Sequence, residues 1–301
     1  MAANTLIWRY TDPYSGAIKN FSLDGNVSGL VGATIKPLFG KAGFLLPPVN
    51  LLTDKIPRRP GDVLRERVIE PRRVDIPFLI EATDYTQLVE VQRKLSDALS
   101  LDYGELIFSY AGRTRKLTKC TYIDGMMGDD GDDGQFVVWA KMLVSFMAHD
   151  PFFYEDTPVS DTSTLDETAF PEFFDTNFLD SMLSVGTIGD SLTINNDGAS
   201  DAWPIWTITG PMGAGVKIGL EGGYSFTINK TIKEGEVVTV DTRPGEKTVI
   251  STFNGNIFSY LSNTSVLWAF PRGSHRAKFT VSSINRSSQI GCFVYIPYNT
   301  M

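Results

Sequence analysis

At Asp150-Pro151-Phe152-Phe153-Tyr154 a long apolar run ends and a stretch without a single Lys or Arg begins. From Gln135 to Ala148 nearly every residue is apolar or β-favouring. The Asp-Pro pair closes that ladder, because proline has no N–H to donate and constrains the residue before it. The junction therefore reads as a domain boundary, with modules at 1–155 and 156–301. Between Lys141 and Lys217 stand twelve acidic residues and no basic one. That imbalance makes about 156–190 an acidic linker that faces solvent or a basic partner.

A chain of 301 residues exceeds the usual single-domain size, so each module can bury its own core. The 27 glycines and 16 prolines call for many turns and hence a β-rich architecture. The only cysteines, Cys120 and Cys292, fall in different modules, which argues for two buried free thiols rather than a disulfide framework. No secretory leader and no apolar run long enough to span a bilayer is read, so the chain is expected to be made in the cytoplasm without membrane insertion. Asn-x-Ser/Thr sequons such as those at Asn26, Asn229, Asn263 and Asn285 read as turn composition. A net charge of −8 argues against a nucleic-acid reader, which needs clustered cations.

In the first module, Asn4–Tyr10 forms a strand that turns at Asp12-Pro13-Tyr14-Ser15-Gly16 into a hairpin partner, Ile18–Leu23. Residues 36–62 carry Pro37, Pro47, Pro48, Pro57 and Pro60 among several glycines, which predicts a long structured loop. Its apolar residues Leu38, Phe39, Phe44, Leu45 and Leu46 pack either on a neighbouring subunit or on their own domain. Val74, Ile76, Phe78, Ile80 and Ala82 alternate as a half-buried strand. A helix over about 84–101 follows, capped at Asp84 with Gln87 three residues on, with Leu88, Val91, Leu95, Ala98 and Leu99 at helical spacing. Strands at Leu106–Tyr110 and Leu117–Ile123 flank a turn at Gly112-Arg113, and a flexible Gly125–Gly134 segment leads into the Gln135–Ala148 strand.

Arg58, Arg59, Arg65, Arg67, Arg72 and Arg73 form a basic cluster offset by Asp62, Glu66 and Glu70. A solvated strand, intersubunit salt bridges or the wall of a channel carrying DNA would each account for it. Catalytic and metal signatures fail one by one. In Asp129-Asp130-Gly131-Asp132-Asp133-Gly134 a glycine holds the third calcium-loop position, and Ala140 stands where the bidentate Glu belongs. Gly213-Ala214-Gly215 lacks the later glycine and helix of a dinucleotide loop, and Gly40-Lys41 lacks the Ser or Thr of a phosphate loop. His149 and His275 are too few for a zinc cluster, and no acidic pair has glycosidase spacing. No catalytic residue, metal site or cofactor is therefore expected.

The second module reads as an all-β sandwich with strands at Trp203–Thr209, Tyr224–Asn229, Glu236–Asp241, Thr248–Thr252, Val266–Phe270, Lys278–Val281 and Cys292–Ile296. Trp203, Trp206 and Trp268 fill its core or, if exposed, stack on sugar rings.

Several of these segments, in this order, resemble the distal tail (Dit) proteins of siphovirus phages, whose long tails do not contract. In the first module they are Val74-Asp75-Ile76-Pro77-Phe78-Leu79-Ile80 with the following helix, Gly112-Arg113-Thr114-Arg115-Lys116-Leu117, Tyr122-Ile123-Asp124-Gly125 and Asp150-Pro151-Phe152-Phe153-Tyr154. In the second they are Asn195-Asn196-Asp197-Gly198, the run from Ala202 to Pro211, and Gly235-Glu236-Val237-Val238-Thr239-Val240-Asp241-Thr242. The chain departs at Pro271-Arg272-Gly273-Ser274-His275, where such proteins often carry Pro-Gly-x-Asn. The resemblance implies a mainly β protein with two parts. A sandwich or split-barrel-like first domain with one helix forms a homohexameric ring, and a galectin-like or carbohydrate-module-like β-sandwich projects from it. It further implies a structural, non-enzymatic virion protein at the distal end of the tail. The implied neighbours are the tail tube, the tail tip or tail-associated protein, the tape measure and receptor-binding proteins. DNA would pass through the lumen without specific recognition. In the alternative, the sandwich binds a host surface glycan during adsorption.

Overall fold

The computed structural model describes residues 5–58, 60–132, 138–164, 188–284 and 287–301. The chain is mainly β, with one α-helix and antiparallel strand pairs throughout the described residues. It divides into two compact units, Met1–Asp156 together with Tyr298–Met301, and Thr157–Pro297. The second unit is thus inserted between two segments of the first.

The first unit is built on a nine-stranded sheet. Its strands are β1 (Thr5–Thr11), β2 (Ile18–Ser22), β3 (Gly25–Asn26), β4 (Thr34–Pro37), β7 (Arg72–Ala82), β8 (Gly104–Tyr110), β9 (Arg113–Asp132), β10 (Val138–Ala148) and β11 (Phe153–Glu155). They run in the order β2-β1-β8-β9-β10-β7-β4-β3, with β11 paired to β9. Along β7, Val74, Ile76, Phe78 and Ile80 are fully buried, as strict alternation requires of a strand with one face on the core. Helix α1 (Tyr85–Leu99) starts where Asp84 accepts a hydrogen bond from the Gln87 N–H at 2.8 Å. It buries Leu88, Val91, Leu95, Ala98 and Leu99. Trp8 on β1 donates its indole N–H to the Ala98 carbonyl at 2.8 Å, joining the helix end to the sheet. Gly104 is required beneath that ring, because a Cβ there would lie 2.3 Å from it.

Three expectations change in this unit. The span 36–62 is not loop throughout: β5 (Val49–Lys55) and β6 (Asp62–Ile69) pair as a separate two-stranded sheet. The prolines flank these strands instead of interrupting them, with Pro47 and Pro48 before β5 and Pro57 and Pro60 in the turn. The segment from Gly125 is strand up to Asp132, paired with β10 through two irregularities. Its glycines serve close approach, since a Cβ on Gly125 would sit 2.0 Å from the Leu143 carbonyl oxygen and one on Gly128 1.5 Å from that of Lys141. Residues 133–137, the rest of the expected acidic tip, lie outside the described residues. Finally, the first unit does not end near 155: Tyr298–Met301 belong to it as well, with Tyr298 bridged to Phe153, which is fully buried in its core.

The second unit is a sandwich of two antiparallel sheets. One runs β12 (Val159–Thr164), β21 (Gln289–Val294), β14 (Pro204–Thr209), β17 (Val237–Asp241), β18 (Thr248–Ser251), β19 (Gly255–Asn256). The other runs β13 (Ile188–Asn196), β20 (Gly273–Val281), β15 (Val216–Leu220), β16 (Ser225–Ile228). Trp206 on β14 meets Phe279 on β20 edge to face at 5.9 Å, so these rings join the two inner faces. Of the expected linker, Val159–Thr164 and Ile188 onward are strand, and 165–187 lie outside the described residues. Val266–Phe270 is not a strand: only Phe270 bridges, to Ala202, while Trp268 and Phe270 enter the core from an irregular segment.

Candidate functional site

The surface that most needs a partner is the β5–β6 hairpin. Its register runs from Val49 opposite Ile69 to Lys55 opposite Asp62, with a bulge at Leu52/Thr53. Every residue of both strands is exposed except Val49 and Val68, which are half-buried. Successive strand residues point to opposite faces, so neighbouring Leu51 and Leu52 give each face an apolar residue, and neither face is covered by the described residues. Leu51 and Leu64 are 55% and 56% exposed. An isolated two-stranded sheet is at best marginal in water, and its unpaired edges are templates for another chain. The preceding loop adds exposed Phe39, Leu45 and Leu46. Phe44 belongs to its own unit instead, edge-on to Phe108 at 4.9 Å and stacked near Phe153 at 6.5 Å.

The arginines do not form one patch. Arg65 pairs with Asp54 at 2.5 Å across the hairpin, and Arg67 lies exposed opposite Leu51. Arg58 occupies the hairpin turn with φ of +65°, and Arg59 lies outside the described residues. Arg73 pairs with Asp75 at 2.8 Å and reaches Ser145 at 3.0 Å.

Arg72 is different in kind, at 1% exposed. Its guanidinium donates to four backbone carbonyls: Pro151 at 2.7 Å, Gly43 at 2.7 Å, Leu45 at 2.6 Å and Asn299 at 2.8 Å. It also lies over the Phe153 ring at 4.7 Å. No carboxylate neutralises it, and burial lowers its pKa to about 10. Arg72 therefore ties the loop before the hairpin, the junction and the returning C-terminal segment to β7. Arg115 does the same from β9, donating to the Thr300 carbonyl and lying over the Tyr298 ring at 3.8 Å. The clamp role of Arg72 was legible in principle, since it shares strand parity with Val74 and Ile76 and must point inward with them. For Arg115 the sequence offers no such cue.

Beside the clamp, Asp150 accepts from the Tyr154 hydroxyl at 2.8 Å and the Phe152 N–H at 3.2 Å, and burial raises its pKa. Both cysteines are free and buried; burial pushes Cys120 up to about 12 and raises Cys292 as well. In the second unit Trp206 and Trp268 are core residues and Trp203 is half-buried. Among the described residues no group of His, Cys, Asp and Glu could hold a metal, and no helix is long and apolar enough to cross a membrane.

No protein-family model and no curated protein sequence matches this chain. Solved structures do. The SPP1 Dit protein (gp 19.1), described as a paradigm of the hub adsorption apparatus in phages infecting Gram-positive bacteria, aligns with a TM-score of 0.65 at 14% identity. The alignment covers 97% of this chain and 98% of that one. A chain of the phage P2 baseplate, in its activated conformation with Ca, aligns at 0.56 and 9% identity over 99% and 100%. The same baseplate with Sr gives 0.55 and 9% over the full length of both chains. Across nearly its whole length, then, this chain has the fold of the SPP1 Dit hub protein and of a phage P2 baseplate component.

Proposed function

We propose that the protein is a structural component of a phage tail, a distal tail hub of siphovirus type whose first unit assembles with copies of itself into a hexameric ring. The observation that carries this reading is the β5–β6 hairpin, a two-stranded sheet with apolar residues uncovered on both faces. A contact in which one copy's hairpin lies on a different surface of the next is heterologous, and such contacts form a ring when the rotation between copies closes. The likeness in fold to a phage hub protein points the same way. The ring joins the tail tube to the tip proteins and the tape measure, lets DNA pass, and belongs to the virion. The second unit, galectin-like in this reading, offers docking for receptor-binding proteins, and no step of chemistry is assigned to the chain.

Light scattering and negative-stain imaging of the purified protein test this. A hexamer, or concentration-dependent assembly toward one, is expected, and Leu51→Asp with Leu64→Asp should return it to monomers. A wild-type protein that stays monomeric at every concentration and on addition of tail-tube protein would overturn the reading.

A further inference from the structure

A cleft of about 680 Å³ opens in the first unit between the β1–β2 hairpin, the segment around Asn26–Ser28 and the last turn of α1. Its apolar lining sets three aromatic rings beside Pro13, Val27, Ala98 and Leu101: Tyr10 and Phe21 are half-buried in the wall, and Tyr14 stands at the rim, 99% exposed. Its uncommitted polar lining is neutral. The amides of Asn20 and Asn26 and the hydroxyls of Tyr10 and Tyr14 make no hydrogen bond among the described residues.

The charged groups at the cleft are all engaged within the protein. Asp12 accepts from the Tyr14 N–H at 2.9 Å and pairs with Lys19, whose ammonium holds it below the usual carboxylate range. Asp97 receives a hydrogen bond from Arg93 at 2.8 Å, and Lys94 donates to the Ser28 carbonyl at 3.0 Å. Lys94, bonded to a neutral carbonyl, is the single cation left to meet an anionic ligand, and a purely apolar one would leave the two amides without partners.

We propose that this cleft binds a neutral glycan. The C–H faces of a pyranose lie on aromatic rings, and its hydroxyls match amide and phenol groups that both donate and accept. The volume falls within the roughly 300–1,000 Å³ of small-ligand sites, enough for a short oligosaccharide. The site uses no residue of the β5–β6 hairpin, so it stands whether or not the chain forms a ring.

Saturation-transfer NMR on the full-length protein tests it, with cellotetraose, maltotetraose, chitotetraose and galactobiose as probes. Transfer from at least one sugar is expected, weakened about tenfold or more, some 1.4 kcal/mol, by Tyr14→Ala and by Asn20→Ala, both at exposed positions. No transfer from any of the four, or transfer unchanged in both variants, overturns the proposal. So does a fall in oligomer mass in the variants without loss of sugar binding, which would make the cleft a seat for another copy.

Discussion

The two units solve the same problem, burying a β-rich core, in opposite ways. The second closes two sheets on each other through Trp206, Trp268, Phe270 and Phe279, all buried. The first closes its core partly with polar anchors that reach far along the chain, from Trp8 to Ala98 and from Arg72 to Asn299, and leaves its hairpin bare. The second unit holds its core within one sandwich, whereas the first depends on anchors far along the chain and carries a sheet left uncovered among the described residues.

Removing the central anchor should break that contrast most sharply. Arg72→Met leaves four backbone carbonyls without their donor, and we expect the first unit to lose about 3 kcal/mol while the second melts unchanged. Urea titration read by labelling of Cys120 against Cys292 separates the two, since each unit holds one buried thiol. Loss in both units, or in neither, would deny the clamp its local role.

The tryptophans sharpen the comparison at a smaller scale. The indole N–H of Trp8 is bonded to Ala98, whereas that of Trp206 is buried without a partner. Trp8→Phe should therefore cost about 1 kcal/mol more than Trp206→Phe beyond the shared loss of packing. Equal costs in denaturant melts would show that the Trp8 bond contributes nothing net.

The smallest effect is a matter of pH. Burial raises the Asp150 pKa in the folded state, so above the unfolded value of about 3.9 the folded chain holds this proton longer. Stability from this group is present at low pH and declines as pH rises through the folded pKa. Asp150→Asn should flatten that decline, gaining on the wild type as pH rises above about 4. A difference that grows in the other direction would mean that the carboxylate's hydrogen bonds to Tyr154 and Phe152 outweigh its desolvation.

What could be read from the residues is what repeats locally. β7 announced itself by period-two alternation, and α1 by Asp84, Gln87 and its apolar stripe, because one covered face imposes a pattern. The β5–β6 hairpin was hidden for the converse reason: with neither face covered in the single chain, Leu51, Leu52, Val63 and Leu64 show no alternation. Gly125 and Gly128 looked like flexibility because the carbonyls of Leu143 and Lys141, which demand them, lie far along the chain. The same distance hid the separation of Arg72 from its neighbours, and Val266–Phe270 imitated a strand because its apolar residues fill a core without joining a ladder. Nothing local marks Tyr10, Tyr14 and Asn20 as walls of one cleft, since their convergence depends on the hairpin meeting the helix end.

The return of Tyr298–Met301 to the first unit sets an order on synthesis. Tyr298 exchanges backbone hydrogen bonds with Phe153 at 2.8 Å in both directions, yet the whole of Thr157–Pro297 must leave the ribosome between them. At about 5–20 residues per second, the first unit waits many seconds with Arg72 and Arg115 lacking their last acceptors. During that interval it is weakest in the region that joins the hairpin loop to β7, and the clamp there closes only after the intervening domain has been made.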